Sequence, residues 1–345
     1  IVQGVGFRPT VSRHAMQHHI HGYVCNKGPY VEIIAQGDAS DVDAFITDVE
    51  KHSPKRSVIL KMAVETLDNN DTIHTYSQFD IIESAKTSGD IFISPDIAVC
   101  EECSQELFDP DNRRYLHPFI NCTCCGPRLT ILDALPYDRE RTSMKNFPMC
   151  PDCHSEYTNP DSRRYDAQPV CCNDCGPELY LLKTQIDNKS ALLKGLDALA
   201  YTRKVIAKGG IAAIKGIGGF HLCCDATNEA AVKRLRDLKH RPAKPFAIMA
   251  RNIEAVRRIC HVTPQQADIL TGHQKPIILL KKLSPPFSSL NEPLNELNEP
   301  FNEQKTICDA IAPGNPNVGV MLPYAPVQLL LFDYPKDDIQ MPDYL

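Results

Sequence analysis

Cys100-Glu101-Glu102-Cys103, Cys122-Thr123-Cys124-Cys125, Cys150-Pro151-Asp152-Cys153 and Cys172-Asn173-Asp174-Cys175 decide how this chain is read. The four pairs are separated by 18, 24 and 18 residues. A Cys-x-x-Cys turn aims two sulfurs at one tetrahedral ion, and a second turn roughly 15–20 residues away completes a four-thiolate zinc site. The unit occurs twice, shifted by 50 residues. The text between the pairs repeats too: Pro110-Asp111-Asn112-Arg113-Arg114-Tyr115 returns as Pro160-Asp161-Ser162-Arg163-Arg164-Tyr165, and each copy closes on Cys-Gly-Pro, at 125–127 and 175–177. These spacings predict a duplicated module with two zinc ions held by Cys100, Cys103, Cys122, Cys125, Cys150, Cys153, Cys172 and Cys175. Sequential pairing within each copy is the reading, interleaved pairing its rival, and a disulfide scaffold the alternative to metal. Four thiolates leave no open coordination position, so the sites are structural, not catalytic. Arg113, Arg114, Arg163 and Arg164 are read as braces, each pair holding its own knuckle through the neighbouring aspartate. Nucleic-acid contact is the competing role.

The rest of the chain bounds the class. Its 345 residues suit two or three domains. With 43% hydrophobic and 23% charged residues the composition is globular, and a net charge of -6 gives no general attraction for nucleic acid. No run of 18 apolar residues and no basic-then-apolar leader occurs, which argues against a membrane partner. The seven cysteines outside the four pairs (Cys25, Cys124, Cys171, Cys223, Cys224, Cys260 and Cys308) show no framework spacing, so a reducing cytoplasm is expected. The chain opens on Ile1 and ends at Leu345 without a cap or turn, and is expected to be a fragment.

Residues 1–9 read Ile-Val-Gln-Gly-Val-Gly-Phe-Arg-Pro. Two glycines around an apolar residue, then an arginine and a helix-starting proline, suit a loop whose N–H groups cradle an anion at a helix N-terminus. A helix over 10–20, strands over 21–27 and 30–36, a helix over 38–52 and strands over 58–66 and 78–82 follow from periodicity. With one strand before Ile1 this is a βαββαβ split fold. The run Gln3-Gly4-Val5-Gly6-Phe7-Arg8 resembles the signature loop of acylphosphatases, ferredoxin-like enzymes that hydrolyse carboxyl–phosphate anhydrides. The resemblance implies that Gln3 to Phe7 and Arg8 hold the phosphoryl group and that Asn26 orients the attacking water.

Beyond a polar stretch at 184–188, helical spacing runs over 191–207 and a strand over 211–215. Gly216-Ile217-Gly218-Gly219-Phe220-His221-Leu222 then precedes a helix over 228–239. Strand, glycine loop and helix are one way to present amides to phosphates. Lys239-His240-Arg241-Pro242-Ala243-Lys244-Pro245 adds a basic cluster before a strand over 246–250. Helices over 252–260 and 264–272 and strands over 276–282 and 318–322 complete an open α/β domain. Cys223 and Cys224 read as small buried residues, not nucleophiles. The run SPPFSSLNEPLNELNEPFNE at 284–303 is a proline-dense, low-complexity insertion, placed at 284–304.

The glycine run with Cys224-Asp225-Ala226 and the basic cluster resembles the YrdC-like domain, in the version embedded in HypF-type carbamoyltransferases. Ala312-Pro313-Gly314-Asn315-Pro316 leading into Gly319-Val320-Met321-Leu322-Pro323-Tyr324 carries the same likeness. By it, Lys215, Lys239, Arg241 and Lys244 contact nucleotide phosphates. The chain is thus identified as an α+β multidomain member of that family. An acylphosphatase-like domain over 1–84 lacks its first strand; the duplicated zinc module spans 95–180; a YrdC-like domain over 190–345 is C-terminally incomplete. The resemblance implies carbamoyl phosphate and ATP (with magnesium) as substrates. It also implies HypE as carbamoyl acceptor in hydrogenase maturation, through a final transfer domain absent here. A zinc-dependent RNA-binding or tRNA-modification protein is the alternative; RNA is the weaker partner, given the acidic balance.

Overall fold

Val5, Phe7, Val11 and Ala15 place an apolar residue on the same face every few positions, and all four are buried. They bury the inner face of α1 (Phe7–Gln17) against Val24 of β1 (His21–Lys27) and against Phe45 and Val49 of α2 (Ala39–Lys51). β2 (Tyr30–Gln36) pairs antiparallel with β1, and β3 (Phe79–Ile81) pairs parallel on its other side, giving the order β2-β1-β3. These statements rest on a computed structural model, which describes residues 4–28, 30–54, 57–67, 75–82, 94–183, 191–283 and 306–345. The strand expected over 58–66 does not form. Residues 57–67 are irregular and Leu60 is 85% exposed, because the run makes no ladder with a described strand that would cover its apolar side chains.

The chain divides into two units, Ile1–Pro177 and Glu178–Leu345. The first holds the small sheet and the cysteine module, whose regular elements are α3 (Glu101–Phe108), α4 (Pro151–Thr158) and short single-turn helices. Each helix begins one residue after the first cysteine of a pair, so its positive end faces the thiolates.

In the second unit, β4 (Tyr180–Lys183) and β5 (Ala191–Lys194) form an antiparallel pair, followed by α5 (Gly195–Ala207). The helix read over 191–207 therefore starts only at Gly195, since the first four residues are taken by the ladder. β6 (Ala212–Lys215) and β7 (Phe220–Cys223) form a hairpin, then α6 (Glu229–Leu238) follows, capped by Asn228. The sheet β8-β10-β9 joins β8 (Ala247–Met249), β9 (Ile278–Lys281) and β10 (Asn317–Met321). α7 (Ile253–Ile259), α8 (Pro264–Thr271) and α9 (Pro326–Phe332) complete the unit. Val232, Ile248, Val256, Leu270, Leu280 and Val320 are fully buried in its core. The insertion at 284–304 and the polar stretch at 184–188 lie outside the described residues. Among the described residues no helix is long and apolar enough to cross a membrane.

One glycine carries the first sheet. Gly22 has φ +134, and a Cβ there would stand 2.0 Å from the Ile34 carbonyl oxygen across the ladder. Gly22→Ala is expected to destabilise the first unit by about 2–4 kcal/mol, read as a lowered melting temperature at unchanged zinc content.

Candidate phosphoryl site and metal centres

The cysteines answer the pairing question directly. The sulfurs of Cys100, Cys103, Cys122 and Cys125 lie within 4.8 Å of one another, and so do those of Cys150, Cys153, Cys172 and Cys175. Pairing is therefore sequential. Several edges are 3.8 Å, among them Cys100–Cys122, Cys122–Cys125, Cys150–Cys172 and Cys172–Cys175. A tetrahedron with metal–sulfur distances of about 2.3 Å has edges of about 3.8 Å. A disulfide would require about 2.05 Å, and all fifteen cysteines are free. The two four-cysteine clusters suit two zinc ions.

The arginine pairs do not brace their own knuckles; each pair crosses to the other copy. Arg113 donates to the sulfurs of Cys150 (3.3 Å), Cys172 (3.3 Å) and Cys153 (3.4 Å). Arg114, 1% exposed, donates to Cys153 (3.4 Å) and the Cys171 carbonyl (2.8 Å) and pairs with Glu156. Reciprocally, Arg163 donates to Cys100 (3.6 Å) and Cys103 (3.4 Å), and both Arg163 and Arg164 pair with Glu106. The physical reason is charge. Zinc with four thiolates carries about −2, and each buried centre takes its compensating guanidinium groups from the neighbouring copy. The partners are Glu106 and Glu156 on α3 and α4, with Asp152 3.5 Å from Arg113 as the one acidic neighbour that matches the expectation in type, though in the other copy. These arginines are committed to the centres. His117 adds a contact between copies, with Nδ1 2.9 Å from Asn173 Oδ1 and Nε2 3.3 Å from Cys171 Sγ. Burial pulls its pKa down to about 4, so it is neutral.

The glycine loop sits against this module. Val5 and Phe7 point into the core, while Gly4 and Gly6 take φ +72 and +81, values that favour glycine. Gly4, Gly6 and Arg8 line a small cavity with Thr123, Arg128 and Asp166 of the zinc module. Arg8 lies 3.4 Å from Asp138 Oδ1 and 3.1 Å from Asp166 Oδ2. Burial alone would lower its pKa, but the two carboxylates outweigh burial and raise it. Burial pushes Asp166 up, against the attraction of Arg8. Asp166 also accepts from Tyr157 (3.3 Å) and Gln168 (2.8 Å). Asn26 is 1% exposed on β1 and is not among the cavity's lining residues, and Gln3 lies outside the described residues.

Sequence reasoning missed Asp138, Asp166 and Arg128, although the duplication marks two of them. Asp166 replaces Leu116 of the first copy at a position where both have left-handed backbone, φ 54 and 55. Arg128 stands where the second copy has Glu178. Breaks in the repeat fall where the module meets the loop.

In the second unit the glycines 216–219 turn the β6–β7 hairpin, with Gly216 N–H donating to the Gly219 carbonyl at 2.9 Å. They do not lead into a helix, because β7 intervenes before α6. Tyr324 Oη stands 2.8 Å from His221 Nε2, and a Cβ on Gly216 would lie 2.3 Å from that hydroxyl. Lys215 is exposed at the end of β6 with its ammonium 6.0 Å from the Phe220 ring. Lys239 and Lys244 are exposed in the α6–β8 connection, where Arg241 stacks on Phe246 and donates to the Lys244 carbonyl at 3.2 Å. Cys223 and Cys224 are buried, their thiols pushed up to about 12 and about 11 by burial, which makes them poor nucleophiles.

Comparison with known proteins follows the same order along the chain. The acylphosphatase family model matches residues 1–81, the HypF finger matches 99–132 and 149–182, and the Sua5/YciO/YrdC family described as "Telomere recombination" matches 204–343. Carbamoyltransferase HypF of Synechocystis is 44% identical over 332 residues, 96% of this chain. Along 96% of its length the chain is similar to proteins of the HypF family. It spans about 40% of the length of that relative, and HypF2 of Cupriavidus necator, 43% identical, is covered to 38%. Acylphosphatase of Staphylococcus aureus is 40% identical over 75 residues, covering 84% of that enzyme. Two HypF crystal structures superpose with TM-scores of 0.82 and 0.80, at 39% and 43% identity. One is full-length HypF in the phosphate- and nucleotide-bound form, the other is HypF of T. kodakarensis; this chain covers 40% of each. Within this family fold, the three parts are the acylphosphatase domain, the duplicated zinc finger and the YrdC-like domain.

The crossed bracing makes a directional prediction. Arg114→Ala, a change in the first copy, is expected to speed zinc release to a chromogenic chelator from the cluster of the second copy. It removes one partner of a largely buried pair and is expected to cost about 2–4 kcal/mol.

Proposed function

We propose that this chain carries the early steps of a carbamoyltransferase that matures nickel–iron hydrogenases. Carbamoyl phosphate binds with its phosphoryl group on the amides of residues 3–7 and the fork of Arg8, and Asn26 orients the attacking water. Backbone amides and a guanidinium suit a dianion whose charge shifts during P–O cleavage. The phosphate replaces the Asp138 and Asp166 carboxylates at Arg8, exchanging one set of charge-assisted bonds for another. Hydrolysis gives phosphate and carbamate.

Carbamate then attacks the α-phosphate of magnesium-bound ATP in the YrdC-like domain, forming carbamoyl-adenylate and releasing pyrophosphate. Lys215, Lys239, Arg241 and Lys244 are assigned to the nucleotide phosphates. In the longer relatives the remaining chain is assigned the transfer to the C-terminal cysteine of HypE, where loss of water from the S-carbamoyl group leaves a thiocyanate, the source of the cyanide ligand. The zinc ions supply structure; the tetrathiolate clusters leave no position for substrate.

The observation that carries this reading is the largely buried Arg8 beside Gly4 and Gly6 in one cavity. The commitment of Arg113, Arg114, Arg163 and Arg164 to sulfur and glutamate weighs against the RNA-binding alternative.

Arg8→Ala, with zinc and fold retained, is expected to lose carbamoyl-phosphate hydrolysis by about 100-fold or more; unchanged hydrolysis would refute the site. Pyrophosphate release from ATP is expected to depend on carbamoyl phosphate. Release without it would assign a different acyl acceptor for the adenylate.

A further inference from the structure

The phosphate loop is moulded on the first zinc knuckle at two points. A Cβ on Gly4 would stand 3.2 Å from Arg128 Cδ, and one on Gly6 would stand 2.9 Å from Thr123 Cγ2. Thr123 lies between the ligands Cys122 and Cys125, and its hydroxyl donates to the carbonyls of Arg163 and Tyr165, both at 2.9 Å. The chain at this knuckle is thus held from both copies of the module.

Arg128 is the link between loop and knuckle. It is 1% exposed, and its guanidinium donates to five backbone carbonyls. Nε reaches Gly4 of the loop; Nη1 reaches Cys125 (3.1 Å) and Pro127 (2.8 Å); Nη2 reaches Cys122 (3.4 Å) and Thr123 (2.8 Å). Among the described residues it has no carboxylate ion pair, so a buried cation is held by carbonyl dipoles beside a tetrathiolate centre of net negative charge. Its backbone N–H donates to Asp96 at 2.7 Å, which fixes the start of the fork.

The duplication supplies an internal control. The second copy has the same Cys-Gly-Pro ending with Glu178 in place of Arg128 and Asn173 in place of Thr123. Its four sulfurs are nonetheless gathered as closely as those of the first copy. A knuckle of this design therefore assembles without the arginine, and the first copy differs where the glycine loop rests on it.

Resting on the phosphoryl-site reading above, we infer that Arg128 is a positioning residue of that site, coupling the 4–8 loop to the zinc centre of Cys100, Cys103, Cys122 and Cys125. Zinc fixes the Cys122 to Cys125 carbonyls, those carbonyls fix the Arg128 fork, and the fork fixes the Gly4 peptide. Affinity for a phosphoryl group then depends on the first zinc centre although no zinc ligand touches the phosphoryl group.

The test uses the full zinc-loaded chain with inorganic phosphate as the probe, by titration calorimetry, beside metal analysis and amide hydrogen exchange. Arg128→Gln is expected to keep two zinc ions, to weaken phosphate binding tenfold or more, and to raise exchange at residues 4–8 while 100–125 stay protected. Arg128→Lys, which keeps the charge and one reach to the Gly4 carbonyl, is expected to recover part of the affinity. Phosphate affinity within twofold of the parent in Arg128→Gln overturns the inference. Loss of zinc together with affinity in both variants also overturns it, because Arg128 then belongs to the metal centre alone. Arg8→Ala separates the two levels. If that variant binds phosphate like the parent, the phosphoryl-site reading itself falls. If it loses binding while Arg128→Gln does not, only the coupling falls.

Discussion

The first unit depends on the exchange of arginines between two buried tetrathiolate centres. Neither copy of the module neutralises its own cluster: Arg113 and Arg114 serve the sulfurs of the second and Arg163 those of the first, with Arg164 paired to Glu106 beside it. A buried centre of charge about −2 is expensive unless cations sit against it, so each copy requires the other to be folded. That requirement explains why the duplication is carried as a pair. Glu106 and Glu156, one on each helix, hold the exchanged guanidinium groups in place.

On that frame the proposed phosphoryl site becomes a property of two modules. The small β-sheet anchors the loop from beneath through Val5 and Phe7, while the zinc knuckle shapes it from above through Thr123 and Arg128. Asp138 and Asp166 reach in from the same module to Arg8. An arginine flanked by two carboxylates is kept charged in a largely buried place, at the cost of a competition that the proposed phosphoryl ligand must win. The YrdC-like unit follows a different plan. Its glycines turn a hairpin under Tyr324, and Lys215, Lys239, Arg241 and Lys244 stay on the surface, exposed or stacked on an aromatic ring.

The sequence by itself determined the metal chemistry. Spacing alone gave the eight ligands, because a Cys-x-x-Cys turn is a local geometry that needs no tertiary context, while the fold decided that they gather sequentially. It determined the loop with Arg8, whose glycines and arginine are contiguous, and most helices and strands, whose apolar periods are local. The resemblance to HypF-type proteins was legible in motifs of the same kind. Tertiary structure decided what lies between distant positions. Along the chain the arginines read as braces of their own knuckles, since nothing there tells a near partner from one in the other copy. The apolar alternation of 58–66 was no guide without a ladder to receive it, and four residues expected to open α5 went to β5 because β4 offered one. Asp138, Asp166 and Arg128 reach the glycine loop and Arg8 through contacts more than a hundred residues away in sequence, as between Arg8 and Asp138 or Gly4 and Arg128. Long-range pairing of this sort is set by folding, and the departures from the repeat at Asp166 and Arg128 were its only trace along the chain.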